Sequence, residues 1–324
     1  MSRILLTHSP DALANYYGAR ALDGLKALGD VILNLNREPL AGESLISAAA
    51  DCDLIVSYRQ SPAPAELFER LPKLVAFLRC AIDIRNVDVA AASQAGVLVT
   101  QASAGFVASA SELIFGLMID VSRGITAAAT SYRGGRTPPA GMGRELKGST
   151  LGVIGYGAIG REVARLGKAF GMKVLINDPY SKEIQSTNLQ ALLGQSDYVV
   201  PLAVATPETE NLIGEKQFQA MKAGAIFINA SRGNLVDEAA LVRALDAGRL
   251  GGCALDVGRA PDQMPTPAIA ARADVIATPH VAGLTRPAIE HQSMETVAQA
   301  AEILKGRAPK GAVNAEHWAR KALL

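Results

Sequence analysis

Residues 150–160 read Thr-Leu-Gly-Val-Ile-Gly-Tyr-Gly-Ala-Ile-Gly, a short apolar run that ends in three glycines with the spacing G-x-G-x-x-G. The pattern predicts a buried strand, a tight turn and the start of a helix. Gly155 permits the turn, Gly157 lets the backbone approach a pyrophosphate, and Gly160 lets the helix pack closely on its strand. We therefore predict a dinucleotide-binding turn at this position.

The residues after the glycines have the pattern that such a turn requires. A helical pattern runs from Ile159 to Phe170, a second strand covers residues 173–177, and Asp178 closes that strand. A carboxylate at this place accepts hydrogen bonds from the adenosine ribose and repels a 2′-phosphate, so we expect NAD as cofactor rather than NADP. A glycine turn of another kind of α/β protein is the alternative interpretation.

The composition limits the kinds of partner. A chain of 324 residues is long enough for two domains, each with its own core. Its 32 basic and 31 acidic residues are scattered and leave a net charge of +1, unlike the basic surfaces that bind nucleic acid or anionic membranes. We expect a small-molecule substrate and a second copy of the chain as partners, and neither nucleic acid nor a membrane.

The composition also bears on the cellular location of the protein and on whether it binds a metal ion. No apolar run approaches the ~20 residues of a membrane span, and residues 4–6 are too few for a signal-peptide core. Cys52, Cys80 and Cys253 are odd in number and have no metal-like spacing, which is typical of reduced thiols in a cytoplasmic protein. The four histidines are scattered and form no cluster with metal-ligand spacing, so we expect no metal site.

Apolar strands alternate with amphipathic helices in two blocks, which indicates parallel sheets covered by helices. The first block predicts strands at 4–6, 31–35, 54–57, 74–78 and 97–99, and the second at 150–154, 173–177, 198–202, 225–229, 253–257 and 275–278. Between the blocks, one long apolar helix is predicted over 108–129, followed by a glycine- and proline-rich arm over 132–143. A last helix is predicted over 287–304.

Polar residues follow three strands of the second block. They lie in the segments 229–233, 255–257 and 278–280 and include Arg232, Asp256 and His280. Ligands of open parallel sheets bind at the carboxyl ends of the strands. These side chains are therefore our candidates for a functional site.

In order and spacing, the glycine motif with Asp178 and the segments 229–238, 254–257 and 278–280 resemble the NAD-dependent D-isomer-specific 2-hydroxyacid dehydrogenases. Residues 145–148, 206–209 and 313–314 match as well, so the resemblance covers nearly the whole chain. The family implies an α/β fold of two doubly wound parallel-sheet domains with a cleft between them. The resemblance implies that a Rossmann NAD domain, expected at residues 100–285, is inserted in a flavodoxin-like substrate domain, expected at residues 1–99 and 286–324.

The resemblance also implies a homodimer held by the apolar helix and the arm after it. The alternative is that this helix is internal core, because periodicity does not separate core from interface.

By resemblance, Arg232 clamps the carboxylate and C2 oxygen of a 2-oxoacid, and His280 is the general acid/base. Reduction of a ketone by hydride requires a cation at the developing alkoxide and a proton donor. The alternatives are a surface ion pair for Arg232 and a helix-capping imidazole for His280. The resemblance assigns cofactor binding to Gly155, Gly157, Ala158, Ile159, Gly160, Asp178, Thr209, Ala230, Ser231, Asp256 and Gly283.

Two departures of the chain from the family pattern concern the catalytic and substrate residues. Pro261 stands where the family usually has a Glu that hydrogen-bonds the catalytic His, and the nearest carboxylate is Asp262. Asp262 either replaces that Glu as a catalytic residue or caps a turn. In the loop that normally holds the substrate carboxylate, Asp83 takes a position that is usually glycine. We expect Ile82 and Asp83 to line the substrate site, where the Asp83 side chain either points away or repels an anionic substrate. Arg59 is a compensating cation, and the alternative is a solvated loop residue.

The leading hypothesis is an enzyme that transfers a hydride between NAD(H) and a small 2-oxoacid or D-2-hydroxyacid. The alternative is an NAD-binding sensor or scaffold with weak or lost catalysis, which Pro261 and Asp83 motivate. The sequence shows no appended regulatory domain, so we expect no feedback through one.

Overall fold

A computed structural model describes residues 2–324, except for the side chain of Asp262. The chain divides into two compact units, Met1–Gly105 with Leu284–Leu324 and Phe106–Gly283. The first unit is thus built from two separate pieces of the chain, and the second from one continuous piece. The family resemblance predicts the corresponding domain boundaries at 99/100 and 285/286.

The first unit contains a parallel sheet with the strand order β2-β1-β3-β4-β5. Its strands are β1 (Arg3–Leu6), β2 (Asp30–Leu33), β3 (Leu54–Ser57), β4 (Ala76–Arg79) and β5 (Leu98–Gln101). This is the order of flavodoxin-like sheets, in which the chain reverses direction across the sheet between β1 and β3. The predicted flavodoxin-like domain is confirmed.

Helices cover this sheet and bury its apolar side chains. They are α1 (Pro10–Tyr16), α2 (Ala19–Lys26), α3 (Gly42–Ala49), α4 (Ala65–Arg70) and α5 (Val89–Gln94). Residues 10–26 form two helices and not one, because Gly18 has a φ of 89°, a conformation that lets α2 start in a new direction.

The second unit contains a six-stranded parallel sheet with the order β11-β10-β9-β8-β6-β7. Its strands are β6 (Thr150–Ile154), β7 (Lys173–Asn177), β8 (Tyr198–Pro201), β9 (Ala225–Asn229), β10 (Leu250–Leu255) and β11 (Val275–Ala277). The chain leaves β6 for β7 on one side and returns to β8 on the other, so the topological switch point lies between β6 and β8. The predicted Rossmann-type sheet is confirmed.

Helices pack on both faces of this second sheet. They are α6 (Val107–Arg123), α7 (Ile125–Arg133), α8 (Ala158–Ala169), α9 (Leu189–Gln195), α10 (Glu215–Ala220), α11 (Glu238–Asp246) and α12 (Pro267–Ala270). Phe218 and Phe227 meet edge to face at 5.4 Å in the core of one face, whereas Ile114, Met118 and Val153 are fully buried in the core of the other. Burial on both faces explains why the strands in the middle of this sheet are mostly apolar.

The single helix predicted over 108–129 is wrong, because the structure has two helices that meet at Gly124 with a bend of 68°. Gly124 has a φ of 63°, and its amide donates to the Asp120 carbonyl at 2.8 Å, which closes α6. The Asp120 carboxylate then accepts from the Thr126 amide at 2.8 Å and caps the start of α7. A left-handed glycine ends a helix that apolar periodicity alone would continue.

The chain returns to the first unit through α13 (Arg286–Ile303), close to the predicted 287–304. Among the described residues, no single helix has the length and apolar composition to cross a membrane, although α6 and α7 taken together as a bent pair meet those two criteria.

Candidate active site

Three neighbouring strands of the second unit end in polar residues. Strands β9, β10 and β11 are adjacent and parallel, and they are followed by Arg232, Asp256 and His280 respectively. Neighbouring strands lie about 4.8 Å apart, so the outer two of these three strands are separated by about 10 Å. The sheet therefore brings a cation, a carboxylate and an imidazole-bearing loop to one edge.

Asp256 builds the loop that carries His280. The Asp256 side chain is fully buried, and its Oδ1 accepts from the Thr278 hydroxyl at 2.6 Å and the Val281 amide at 2.8 Å. Its Oδ2 accepts from the Ala282 amide at 2.9 Å, and its backbone carbonyl accepts from the His280 amide at 2.9 Å. The described contacts of this carboxylate are thus with the loop of His280, although the resemblance predicts Asp256 as a cofactor-binding residue.

His280 itself has a backbone conformation that is rare outside glycine, with a φ of 54°. A left-handed residue with a side chain costs about 1–2 kcal/mol unless its surroundings hold it there. The hydrogen bonds to Asp256 supply that support. Since the residue lies at the sheet edge, the strained turn sets the direction in which the imidazole projects.

Asn229 shapes the turn that carries Arg232. The Asn229 side chain accepts from the Ser231 amide at 3.1 Å and donates to the Arg232 carbonyl at 3.0 Å. The Arg232 Nη1 donates to the Ser231 carbonyl at 2.8 Å, and the residue is half-buried. One amide side chain at the end of β9 therefore fixes both ends of the arginine turn.

Gly233 joins this turn to the loop after β10. A Cβ at Gly233 would lie 2.0 Å from the carbonyl oxygen of Gly258, and one at Gly258 would lie 2.6 Å from the Cα of Pro265. Without side chains, Gly233 and Gly258 let the arginine turn, the start of the loop after β10 and the backbone at Pro265 pack against one another. The loop continues into a short 3-10 helix, Pro261–Gln263, but the side chain of Asp262 lies outside the described residues, so its catalytic role stays a prediction.

The glycine motif forms the predicted turn between β6 and α8. Gly155 has a φ of 101°, and a Cβ at Gly160 would lie 2.2 Å from the carbonyl oxygen of Gly155. A Cβ at Gly157 would meet no other atom within 4 Å, so the backbone is open over the start of α8. The first amides of α8, including those of Ala158 and Ile159, have no side-chain cap among the described residues. Open backbone and uncapped amides fit a pyrophosphate.

Asp178 is tied to the same turn. Its Oδ2 accepts from the Tyr156 amide at 2.7 Å, whereas its Oδ1 accepts from the amides of Tyr180 at 3.0 Å and Ser181 at 3.1 Å. A carboxylate oxygen accepts about two hydrogen bonds, so one acceptor position of Oδ2 is left for a ribose hydroxyl. The residues present therefore fit an adenosine ribose as the sequence predicts.

The remaining predicted cofactor residues lie in loops of the second unit. The Thr209 hydroxyl donates to the Val204 carbonyl at 2.6 Å and so shapes the loop after β8. Ala230 is buried and Ser231 half-buried in the turn after β9. Among the described residues, no three His, Cys, Asp or Glu side chains are grouped so as to hold a metal ion.

In the first unit, Asp83 has a local partner that the sequence does not predict. Its carboxylate accepts from the Arg85 side chain at 2.6 Å and from the Arg85 amide at 3.0 Å, while Ile82 beside it is half-buried. The guanidinium of Arg59 lies over the ring of Tyr16 at 5.5 Å. The negative charge in this loop is thus accompanied by a neighbouring positive charge.

The sequence does not predict the burial of an arginine and a histidine at the carboxyl edge of the first sheet. Arg79 is fully buried and donates to the carbonyls of Tyr58 and Ser61 and to the side chain of Asn86, and burial lowers its pKa to about 10. Burial, and secondarily the charge of Arg79, lowers the pKa of His8 to about 3. Neither residue belongs to a motif, and a single polar residue at a strand end gives no sequence signal of burial.

Comparison with known proteins assigns the second unit. Residues 115–282, just over half of the chain, match the model of the D-isomer specific 2-hydroxyacid dehydrogenase NAD binding domain. This match includes the glycine motif, Asp178, Arg232, Asp256 and His280, and it confirms NAD as the cofactor of the domain.

Similar proteins include a D-3-phosphoglycerate dehydrogenase of Archaeoglobus fulgidus, 36% identical over 85% of this chain and 54% of its own length. A glyoxylate reductase of Korarchaeum cryptofilum is 30% identical over 92% of this chain and 93% of its own length. A crystal structure of a protein from Thermus thermophilus superposes with a TM-score of 0.86 at 29% identity, covering 96% of this chain and 99% of its own. The chain spans about half the length of the curated phosphoglycerate dehydrogenases that it matches.

Proposed function

The chain belongs to the D-isomer specific 2-hydroxyacid dehydrogenase family, and from this premise we propose that it transfers a hydride between NAD(H) and a small 2-oxoacid or D-2-hydroxyacid. The observation that carries the proposal is the edge formed by β9, β10 and β11, where Arg232, Asp256 and His280 follow three adjacent strands. We assign NAD binding to the second unit and substrate binding to the first.

In this proposal each residue of the edge has a distinct task. NADH, when bound, supplies the hydride. Arg232 binds the carboxylate and C2 oxygen of the substrate, because its fork of fixed donors matches two acceptor atoms at once. His280 gives a proton to the C2 oxygen as negative charge develops there, and it takes that proton back in the reverse reaction. Asp256 acts through the loop of His280 and is a positioning residue.

The geometry favours an enzyme over an NAD-binding sensor. A sensor needs the glycine turn and Asp178. It does not need a histidine whose backbone is held at a φ of 54° by the fully buried Asp256. Strained residues that their surroundings support are typical of catalytic sites. The competing interpretation therefore leaves the loop of His280 unexplained.

A panel of 2-oxoacids tests the activity: glyoxylate, pyruvate, hydroxypyruvate, phenylpyruvate and 3-phosphohydroxypyruvate, each followed by NADH absorbance. We expect turnover of at least one, and a loss of about two to four orders of magnitude in His280→Ala. The exposed His317 supplies the matched control, and His317→Ala should keep full turnover. NADH binding without turnover of any panel member would favour the sensor.

We propose that the protein is a homodimer, with helix α7 and the arm after it in the interface. Helix α7 buries none of its residues within the chain. Ile125 and Tyr132 on this helix are 52% and 63% exposed, and Met142 in the arm is 101% exposed. Large apolar side chains exposed close together along the chain are typical of a contact surface. A stable mass near 33.8 kDa in light scattering at micromolar concentration would contradict the dimer.

We further propose a cytoplasmic location and a small-molecule substrate, without nucleic acid or a membrane as partner. Cys52, Cys80 and Cys253 are all free and buried, which is typical of proteins in a reducing compartment. Cell fractionation with a tagged chain tests the location, and recovery in a secreted or membrane fraction would contradict it.

A further inference from the structure

An ion pair lies beside the predicted ribose site, and the family resemblance does not account for it. Arg161 belongs to the first turns of α8, directly after the last glycine of the motif. Its guanidinium binds both carboxylate oxygens of Glu183, with Nη2 to Oε1 at 2.8 Å. The same guanidinium lies over the ring of Tyr156, 4.9 Å from the ring centroid.

Tyr156 connects this ion pair to Asp178. Its amide donates to Asp178 Oδ2 at 2.7 Å, while its ring carries the guanidinium of Arg161. The carboxylate that fits the ribose hydroxyls and the cation of α8 are therefore attached to the same residue of the glycine turn. In dinucleotide domains an acid at the position of Asp178 binds the ribose 2′-hydroxyl, and a nearby arginine accommodates the 2′-phosphate in those that take NADP.

We propose that Glu183 is a cofactor-specificity residue, which binds the guanidinium of Arg161 and so withholds it from the 2′-phosphate of NADP(H). An arginine fork binds a carboxylate and a phosphate with the same pair of parallel donors, so the two compete for the same face. Glu183 also adds a second negative charge, besides that of Asp178, to the segment that follows β7. The chain thus excludes a 2′-phosphate in two ways, by repulsion at Asp178 and by occupation of Arg161.

This inference rests on the NAD-binding domain and not on the proposed reaction. The ion pair is exposed, with 44% of the Arg161 side chain and 60% of the Glu183 side chain accessible to solvent. Exposed pairs contribute little to folding stability, so removal of one charge should leave the domain intact. The effect of Glu183 is therefore measurable in the folded protein by cofactor binding alone.

The test is Glu183→Gln, which keeps the size of the side chain and removes its charge. Calorimetric titration of the full chain with NADPH and with NADH gives both dissociation constants without turnover. Where binding is weak, the titration is done by displacement of a bound ligand. We expect NADPH to bind about tenfold more tightly than in the wild type, because a charge-assisted arginine–phosphate contact becomes available. The dissociation constant of NADH should change by less than about twofold, because it lacks the 2′-phosphate.

The same helix offers a matched control. Arg165 pairs with Glu162 in the same two-bond manner, with Nη2 to Oε1 at 2.6 Å and Nε to Oε2 at 2.8 Å. Glu162→Gln removes an equal charge from beside another exposed arginine of α8, away from the contact with Tyr156. The double variant Arg161→Gln with Glu183→Gln should lose the gain in NADPH affinity.

Three results would overturn the proposal: an unchanged NADPH-to-NADH ratio in Glu183→Gln, the same gain in Glu162→Gln, or a gain that survives in the double variant. The second would point to general electrostatics and the third to a cation other than Arg161. Adenosine 2′,5′-bisphosphate, titrated against AMP, confines the comparison to the adenosine half of the site. Because none of these measurements involves a 2-oxoacid, their failure is distinguishable from a failure of the proposed dehydrogenase activity.

Discussion

The backbone amide of His280 donates to the backbone carbonyl of Asp256 at 2.9 Å, and this contact joins the ends of the two adjacent strands β10 and β11. The Asp256 carboxylate holds the residues on both sides of His280 through Thr278 and Val281. A fully buried carboxylate is costly unless hydrogen bonds satisfy it, and here the loop of His280 satisfies it. The two residues therefore depend on each other.

Substitution of Asp256 tests this dependence. In Asp256→Asn an amide replaces one carboxylate oxygen, so a buried N–H donor such as that of Ala282 faces another donor. We expect a loss of about 1–3 kcal/mol in the free energy of unfolding, measured in urea, because an unpaired buried donor is left. We also expect kcat to fall at least about tenfold, since the imidazole is no longer held in one direction.

Asp197 supplies the control for Asp256. It accepts from the Thr150 amide at 2.8 Å and from Lys222 at 2.6 Å at the amino-terminal edge of the same sheet. Asp197→Asn should also lower stability and leave kcat unchanged. Equal losses of kcat in the two variants would show that Asp256 acts on folding alone and would contradict a positioning role.

Gly233→Ala is expected to damage the site through the backbone. The added methyl would lie 2.0 Å from the Gly258 carbonyl oxygen, so the turn of Arg232 and the loop after β10 must separate. We expect at least about a tenfold loss of kcat/KM, because a displacement of about 1 Å is enough to cost that much. Gly194→Ala, in α9, is the control: its methyl would lie 3.7 Å from the Ala220 carbonyl oxygen, and activity should be unchanged. A fully active Gly233→Ala variant would refute the tight coupling of the two segments.

The sequence predicts the parts of this protein that repeat a short-range pattern. Apolar strands with helical patterns between them predict both parallel sheets, and the glycine spacing predicts the turn at Gly155 because only backbone chemistry is involved. The strand ends then place Arg232 and His280 at one edge. These features depend on residues close together in the chain, which is why a single sequence suffices for them.

The features that sequence reasoning missed depend on conformation or on distant partners. Gly124 splits one predicted helix into two because it is left-handed, and an apolar pattern carries no information about that dihedral angle. Glu183 follows β7 and meets Arg161 of α8, and both read as ordinary surface charges in the sequence. Arg79 is fully buried although arginine is a residue type that is rarely so.

The buried His8 predicts a pH dependence of stability. In the folded chain its pKa is lowered to about 3, first by burial and then by Arg79, against about 6.5 in an unfolded chain. The unfolded state therefore binds one more proton between these values, and His8 contributes stability that is present above pH 6.5 and is lost as pH falls toward 3. The slope is about 1.4 kcal/mol per pH unit, or about 2 kcal/mol between about pH 6.5 and 5.

The comparison of His8→Phe with the wild type isolates this contribution. His8 packs against the rings of Tyr17 at 4.9 Å and Tyr58 at 5.1 Å, so an aromatic replacement keeps the ring contacts. Arg79 stays charged and burial raises the pKa of Tyr17, so neither group titrates in this range. Urea unfolding from about pH 7 to 5 should show a flatter dependence in His8→Phe, whereas His317→Gln, at an exposed position, should follow the wild type. Parallel curves for all three proteins would contradict the prediction.

The prediction about Asp262 concerns the proton that His280 gives in the proposed reaction. If Asp262 replaces the missing Glu of the family, its charge holds the imidazole in one orientation and favours the protonated form that reduction requires. Asp262→Asn then lowers kcat strongly and moves the alkaline limb of the pH–rate profile for 2-oxoacid reduction to lower pH. If Asp262 only caps the turn after Pro261, the variant keeps a wild-type profile.

Asp274 provides the comparison that separates these two outcomes from a general effect of charge. It lies just before β11 and is paired with Arg272, whose hydrogen bonds hold the pKa of Asp274 below the usual range of an aspartate. Asp274→Asn removes the same charge from the same unit without touching the loop after β10, so the pH–rate profile should stay in place. A shifted profile in Asp262→Asn alone would establish a carboxylate–imidazole pair. A shift of equal size in both variants would instead assign the effect to the net charge of the domain, and would leave His280 dependent on Asp256 for its orientation.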